Sequence, residues 1–137
     1  MRFDRKWTGW CPLSSVIGEV ETAPGAYVVR VRNQSFNRFV GTDKLGILDI
    51  GETGNLRSRL RDFIKCAKNP KATGHMAAWR YSYLGLGRMF PLDELEVRWS
   101  ICKDKEEAVK KEAEVMRKYV DKHYELPPLN YKFNWSE

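Results

Sequence analysis

The sequence predicts an α/β (α+β) fold in which a small central mixed or antiparallel sheet of three strands is flanked by helices. Three short runs rich in β-branched and aromatic residues, at 25–32, 45–51 and 95–101, have the length and composition of strands. Segments with apolar residues at helical spacing follow the second and the third run. Packing helices against a sheet buries the apolar sides of both element types, which favours this architecture.

The chain length suits one domain with one core, so residues 1–137 are expected to form a single domain. Met1 to Ala23 shows no regular pattern and is expected to be an irregular N-terminal extension. The first two strands, Gly25 to Arg32 and Leu45 to Gly51, are separated by the polar, glycine-containing segment Asn33 to Lys44. This pattern indicates a hairpin with a long loop.

A first helix is predicted after Asn55, and it should end before Asn69-Pro70, because proline disfavours helical geometry in the residue before it. Its apolar stripe contains Leu56, Leu60, Phe63, Ile64 and Ala67. The next segment, Gly74 to Leu84, is compatible with a helix, a strand, or one passing into the other.

The third strand, Leu95 to Ile101, alternates between apolar and polar residues, as a half-buried strand does. Asp104 can cap the N-terminus of a last helix, with Glu107 three residues later, and this helix is expected to reach His123 or Tyr124. The two following prolines end regular structure, and the aromatic tail from Leu129 to Trp135 is expected to pack back on the domain.

Composition narrows the function classes. The net charge of +6 favours polyanionic partners. Three widely spaced cysteines, Cys11, Cys66 and Cys102, argue against a disulfide framework or a zinc site and favour thiols in a reducing compartment. No apolar run is long enough for a membrane span, and Met1 to Trp10 lacks the apolar core of a signal peptide. We therefore expect a cytoplasmic protein.

Two charged residues stand in apolar stripes. Glu112 lies one helical turn after Ala108 and one before Met116. A carboxylate there is costly to bury unless it is paired or binds a metal, so it is a rim residue, the partner of an arginine, or a functional acid. Arg59 lies one turn before Phe63, where it is either a surface arginine with a buried stem or a ligand for phosphate or carboxylate.

Four segments resemble the GIY-YIG nuclease superfamily, in order along the chain. Gly25-Ala26-Tyr27 resembles its first signature strand, and the segment from Asp49 to Leu60 resembles its second strand and first helix, which places the family's catalytic arginine on Arg59. Ala108 to Glu112 resembles the helix that carries the metal-binding glutamate. Glu125 to Asn130 resembles the late leucine-proline-proline-leucine-asparagine motif.

Two positions depart from the family pattern. The tyrosine expected at the start of the second triplet is Asp49 here, and the histidine or tyrosine often found one turn after the arginine is Phe63. Asp49 could strengthen metal binding, repel the phosphate, or pair with Arg59. Tyr81 or Tyr83 could supply a hydroxyl from the ambiguous segment.

The resemblance implies a GIY-YIG-like fold and a metal-dependent endonuclease that hydrolyses phosphodiester bonds in DNA, with RNA as another substrate class. Glu112 would bind Mg²⁺ or Mn²⁺, Arg59 would hold a phosphate oxygen, and Tyr27 would orient or deprotonate the attacking water. Asn130 would hold the backbone near the site or bond to a metal ligand. Asp49 completes the candidate catalytic set. The alternative is a catalytically weakened or inactive nucleic-acid-binding module on the same fold.

Basic side chains on and after the first helix are candidates for contacts to the nucleic-acid backbone, and a solvated helix face is the alternative. They are Arg57, Arg61, Lys65, Lys68, Lys71 and Arg80. Trp79, Tyr81 and Tyr83 could stack on bases or pack in the core. Because no second DNA-reading module is evident, specificity would need a homodimer, a protein partner, or a substrate of particular structure.

Overall fold

The computed structural model describes residues 1–132. Its strands and helices are β1 (Cys11–Pro12), α1 (Leu13–Val16), β2 (Gly25–Val31), β3 (Phe36–Asn37), β4 (Thr42–Asp43), β5 (Ile47–Thr53), α2 (Leu56–Lys68), α3 (Met76–Tyr83), β6 (Leu95–Ile101) and α4 (Lys105–His123). Short 3₁₀ turns occur at Ile17–Glu19, Leu86–Arg88 and Leu92–Glu94. The predicted class, an α+β fold with helices against a sheet, is confirmed.

The main sheet has four strands rather than the predicted three, in the order β1-β6-β2-β5, and all neighbouring strands are antiparallel. The extra strand, β1, comes from the segment expected to be irregular and pairs Cys11 with Val97. Two residues are too few to show the alternation that identifies a strand in a sequence. Strands β3 and β4 form a separate ribbon inside the predicted long loop.

Helix α2 begins and ends where the sequence predicts. The side chain of Asn55 accepts a hydrogen bond from the backbone N–H of Ser58 and caps the N-terminus. Asn69, which precedes Pro70, is extended and ends the helix. The ambiguous segment contains α3, a helix of eight residues that begins after His75.

Helix α4 also agrees with its prediction. The Asp104 carboxylate accepts a 2.8 Å hydrogen bond from the backbone N–H of Glu107, which caps the first turn. The helix ends at His123, and Tyr124 follows in the left-handed conformation with φ of 60°.

The two faces of the sheet support different helices. Tyr27 and Val29 of β2 belong to the apolar cluster that includes residues of α2 and α3. Their neighbours Ala26 and Val28 belong to a second cluster with residues of α4. Because successive side chains of a strand point to opposite faces, β2 is covered on both sides. The free edge of β5 therefore lies between two helical layers.

The segment after α4 returns to this edge. Leu129 is buried, and its backbone N–H donates a 2.9 Å hydrogen bond to the carbonyl oxygen of Leu48. This agrees with the expected packing of the tail, although Phe133 to Trp135 lie outside the described residues. Within residues 1–132, the three cysteines are free thiols, and no helix has both the length and the apolar character required to cross a membrane.

Candidate active site

The five predicted catalytic residues meet in one cleft at the edge of β5. Tyr27, Asp49, Arg59, Glu112 and Asn130 all line a cavity of about 260 Å³. They come from β2, β5, α2, α4 and the segment after α4. Residues far apart in the sequence thus meet in one polar pocket. Such convergence of polar side chains in a concave pocket is typical of a ligand-binding or active site.

Tyr27 occupies its position because the residue opposite it has no side chain. Tyr27 pairs with Gly51 across β2 and β5. A Cβ added at Gly51 would collide with the phenol ring, lying 2.8 Å from its Cε1 atom and closer still to its hydroxyl end. The ring therefore lies over the glycine backbone. The side chain of Tyr27 is 1% exposed.

The hydroxyl of Tyr27 contacts His75, a residue that the sequence analysis did not select. The Tyr27 oxygen lies 2.9 Å from Nε2 of His75. The other ring nitrogen, Nδ1, accepts a 3.4 Å hydrogen bond from the backbone N–H of Ala78, so His75 caps the N-terminus of α3. Burial and the charge of Arg59 lower the pKa of His75 to about 3, so the ring is neutral at neutral pH.

Burial raises the pKa of Tyr27, the negative charge of Asp49 raises it further, and Arg59 opposes both effects. The phenol is therefore protonated across the neutral range. It can orient a water molecule by hydrogen bonding, but it is too weak an acid to become the phenolate that would accept a proton.

Asp49 is a buried carboxyl, 3% exposed, in the same cleft. Burial raises its pKa to about 7, against the lowering effects of Arg59, Arg80 and the amide of Asn130. Its Oδ2 atom makes no hydrogen bond within residues 1–132 and lies 4.0 Å from Nε2 of His75. This distance is too long for a hydrogen bond, and the neutral histidine makes no ion pair.

Arg59 projects from α2 into the same cleft. Its Nη1 atom donates a 2.6 Å hydrogen bond to the carbonyl oxygen of Gly74, which fixes the guanidinium against the loop before α3. Its charge acts on both Tyr27 and Asp49. A guanidinium has five N–H donors, so this bond is compatible with further bonds to a phosphate oxygen.

Glu112 lies on the buried side of α4, 7% exposed, and it lines the cleft. Among residues 1–132, no group of three or more His, Cys, Asp and Glu side chains is placed to hold a metal, so a site of the zinc type is not formed by them. Magnesium needs fewer protein ligands, because it keeps several waters and takes one or two carboxylates. Glu112, in the wall of the cleft, fits that requirement as a single carboxylate.

Asn130 closes the free edge of β5. Its side-chain oxygen accepts a 3.0 Å hydrogen bond from the N–H of Ile50, and its amide donates a 2.9 Å bond to the carbonyl of Ile50. The Asn130 backbone N–H also bonds to the carbonyl oxygen of Pro127 in a turn. The side chain thus replaces a neighbouring strand, which corresponds to the backbone-holding role among its predicted alternatives.

The candidate nucleic-acid contacts fall into two groups. Arg61, Lys65, Lys68 and Lys71 are exposed. Arg57 instead donates a 2.7 Å bond to the carbonyl oxygen of Val20, and Arg80 donates a 2.9 Å bond to that of Leu129. These two guanidinium groups hold neighbouring segments of the chain in place.

Neither tyrosine of the ambiguous segment supplies a hydroxyl to the cleft. The Tyr81 hydroxyl donates a 2.6 Å bond to the carbonyl oxygen of Phe90, and Tyr83 is exposed and outside the cavity. His75 supplies the polar contact to Tyr27 instead. The sequence signal for it was weak: a histidine next to a glycine, directly before an apolar segment.

No protein-family model matches the chain, and no curated protein matches it significantly. Two solved structures are similar in fold. The GIY-YIG N-terminal endonuclease domain of UvrC from Thermotoga maritima, bound to magnesium, is 24% identical over 87% of this chain and 96% of that chain, with a TM-score of 0.48. A point mutant of the same domain, bound to its catalytic divalent cation, is 22% identical over 88% and 96% of the two chains, again with a TM-score of 0.48.

Proposed function

We propose that this protein is a metal-dependent endonuclease of the GIY-YIG type that hydrolyses phosphodiester bonds in DNA. The observation that supports it most is the meeting of Tyr27, Arg59 and Glu112 in one cleft, beside a carboxyl with a pKa near neutrality. A nucleic-acid phosphate is the ligand that fits this mixture of a guanidinium, a phenol and carboxylates, and the net charge of +6 favours the same partner.

Arg59 would hold a non-bridging oxygen of the phosphate, since a guanidinium in a partly buried site forms strong charge-assisted hydrogen bonds. Glu112 would hold the divalent cation, magnesium or manganese. When bound, the cation supplies stabilisation of the negative charge that develops on the leaving oxygen.

Tyr27 would orient the attacking water, and Asp49 would accept its proton. One O–H bond of the water breaks, with the proton passing to the Asp49 carboxylate. The water oxygen forms a bond to phosphorus while the bond from phosphorus to the leaving oxygen breaks. A base whose pKa lies near the working pH is the most effective for such a transfer, and Asp49 meets this condition whereas Tyr27 does not.

The test is cleavage of supercoiled DNA by the purified chain in Mg²⁺ or Mn²⁺, with EDTA as the metal-free arm. Glu112→Gln and Arg59→Ala should each reduce the rate about a hundred-fold or more, since each removes stabilisation of transition-state charge. Glu114→Gln is the matched control for Glu112→Gln, because Glu114 is exposed on the same helix. Arg88→Ala is the control for Arg59→Ala, because Arg88 is exposed and does not line the cleft. In a titration with Mn²⁺, Glu112→Gln should bind the metal more weakly than the wild type, and the other variants should bind it as the wild type does. A wild-type chain that cuts neither single-stranded nor duplex substrates would overturn the proposal.

A nucleic-acid-binding module without turnover is the second candidate, and the charge of Asp49 is the observation that favours it. An ionised carboxylate in the cleft repels a phosphate. If Asp49 only repels, Asp49→Asn should tighten DNA binding, and no cleavage should be seen in either form. If Asp49 is the proton acceptor, the same variant should lose cleavage.

A further inference from the structure

An apolar groove lies directly beside the active-site cleft. It has a volume of about 320 Å³ and is lined by residues 70–76 and by Trp79. His75 and Met76 line the cleft as well, so the two spaces are neighbours at the start of α3. We call this space the side groove.

The outer face of α3 extends the side groove with further apolar surface. Met76, Trp79 and Tyr83 are spaced three and four residues apart, so they lie on one side of the helix. The rings of Trp79 and Tyr83 stack, with centroids 4.8 Å apart and planes inclined by 21°. Met76 is 49% exposed and Tyr83 is 66% exposed. Trp79 is half-buried and packs against the core, whereas Met76 and Tyr83 on either side of it leave much of their apolar surface exposed.

Charge around the side groove selects its occupant. Its lining contains a lysine and no acidic residue. The ammonium of Lys65 and the carboxylate of Asp62 both lie close to Gly74 and form an ion pair of 3.5 Å, so together they add little net charge there. Arg59 donates its hydrogen bond to the Gly74 carbonyl oxygen. The wall of the groove is thus joined to the guanidinium that we assign to the phosphate. An anionic ligand with a flat apolar part suits this combination, as in proteins that bind single-stranded nucleic acid.

We propose that the side groove binds an unpaired nucleobase adjacent to the phosphate in the cleft, stacked on Trp79. This inference rests on the proposed function and names its substrate class: nucleic acid with single-stranded nucleotides at the cut. A base inside a duplex is paired and stacked, so it cannot enter a groove beside the backbone without being extruded. The protein therefore selects flaps, gaps or loops by the free base they offer.

Binding in EDTA tests this proposal without cleavage. The full chain is titrated against a labelled single-stranded oligonucleotide, the corresponding duplex, and the same single strand made abasic throughout. Trp79→Ala should weaken binding of the normal single strand about ten-fold to a hundred-fold, since stacking on an aromatic ring contributes that much per base. The abasic strand should bind the wild type with a similar loss, and Trp79→Ala should not weaken it further.

Two further variants distinguish base stacking on Trp79 from the structural role of this residue. Trp79 also donates a 2.9 Å hydrogen bond from Nε1 to the carbonyl oxygen of Pro70. Trp79→Phe keeps a ring and loses this bond, so it should bind the normal strand nearly as well as the wild type. Leu84→Ala is the matched control, because Leu84 is 58% exposed at the end of α3 and lies outside the side groove.

The outcomes distinguish this proposal from the endonuclease assignment. Cleavage of DNA by a protein whose binding is equal for normal and abasic strands would overturn the side-groove proposal alone. Base-dependent binding through Trp79 with no cleavage in any metal would overturn the endonuclease alone. If Trp79→Ala leaves DNA binding unchanged but abolishes self-association, the side groove contacts a second copy of the chain and the proposal is wrong.

Discussion

The hydroxyl oxygen of Tyr27 lies 2.9 Å from Nε2 of His75, and the partner of the other ring nitrogen decides how this bond is directed. Nδ1 accepts from the N–H of Ala78, so in the neutral ring the proton is on Nε2. His75 therefore donates to the Tyr27 oxygen. The proton of the phenol itself then points away from the histidine. The N-terminus of α3 thus sets the orientation of a group in the cleft.

Replacement of His75 by asparagine and by alanine should separate its role as the N-cap of α3 from its role in positioning Tyr27. Both variants lose the Nε2–H donor and the ring packing against Phe63, so both should cleave DNA about ten-fold to a hundred-fold more slowly. Asparagine is a good N-cap residue and alanine is not, so His75→Ala should be less stable than His75→Asn by about 1 kcal/mol. Cleavage rates and chemical denaturation measure the two effects. Wild-type cleavage by His75→Asn would show that the contact to Tyr27 is not used.

Asp49 and His75 should give opposite slopes of stability against pH. The folded state raises the pKa of Asp49 from 3.8 to about 7, so between these values the folded protein holds a proton that the unfolded chain has lost. Stability from this group is lost as the pH rises through that window. The folded state lowers the pKa of His75 from 6.5 to about 3, so the unfolded chain holds the extra proton between these values, and stability rises with pH.

In the wild type these two slopes largely cancel between about pH 4 and 6.5. Relative to the wild type, Asp49→Asn should gain stability as the pH rises from 4 to 7, by at most about 1.4 kcal/mol per pH unit. His75→Asn should show the reverse trend, with its relative stability falling as the pH rises towards 6.5. Urea denaturation in EDTA at several pH values measures both. Parallel curves for the three proteins would show that neither group is shifted.

The three long strands and the helices α2 and α4 were predictable from the sequence because their signals are local. The strands are marked by β-branched residues, and α2 and α4 are marked by caps and by apolar spacing. The hydrogen bond between Tyr27 and His75 joins residues 48 positions apart, and the sequence around either residue does not indicate that the two are in contact. The family resemblance places a histidine or tyrosine one turn after Arg59, where this chain has Phe63. In the fold, the neighbouring helix α3 brings its own histidine to the same place, in edge contact with the Phe63 ring.

The charged face of α2 shows a second limit of sequence patterns. Arg57 and Arg61 are both arginines outside the apolar stripe, and the spacing alone treats them alike. Only the packing of the N-terminal extension distinguishes them, because its backbone carbonyl oxygens reach Arg57 and not Arg61. A single sequence does not reveal which surface a loop will cover.

Gly51→Ala should displace the phenol of Tyr27. The added Cβ would overlap the ring and hydroxyl, so cleavage should fall about a hundred-fold, and overpacking should cost about 1 to 3 kcal/mol of stability. Gly54→Ala is the matched control, since a Cβ at Gly54 meets no atom within 4 Å. It should cleave as the wild type does and change stability by less than about 0.5 kcal/mol. Normal cleavage by Gly51→Ala would mean that the position of Tyr27 is unimportant.

Arg57→Ala should lower the stability of the protein and leave its DNA affinity unchanged, whereas Lys71→Ala should lower DNA affinity and leave stability unchanged. Arg57 donates hydrogen bonds of 2.7 and 3.3 Å to the carbonyl oxygens of Val20 and Gly18, so its loss should lower the free energy of unfolding by about 1 to 3 kcal/mol. DNA affinity of the folded protein should change little. Lys71 is exposed, so Lys71→Ala should leave stability unchanged and lower the slope of log K against log salt by about one. Fluorescence anisotropy over a salt series measures the slope. A steeper loss of affinity for Arg57→Ala than for Lys71→Ala would reverse these assignments.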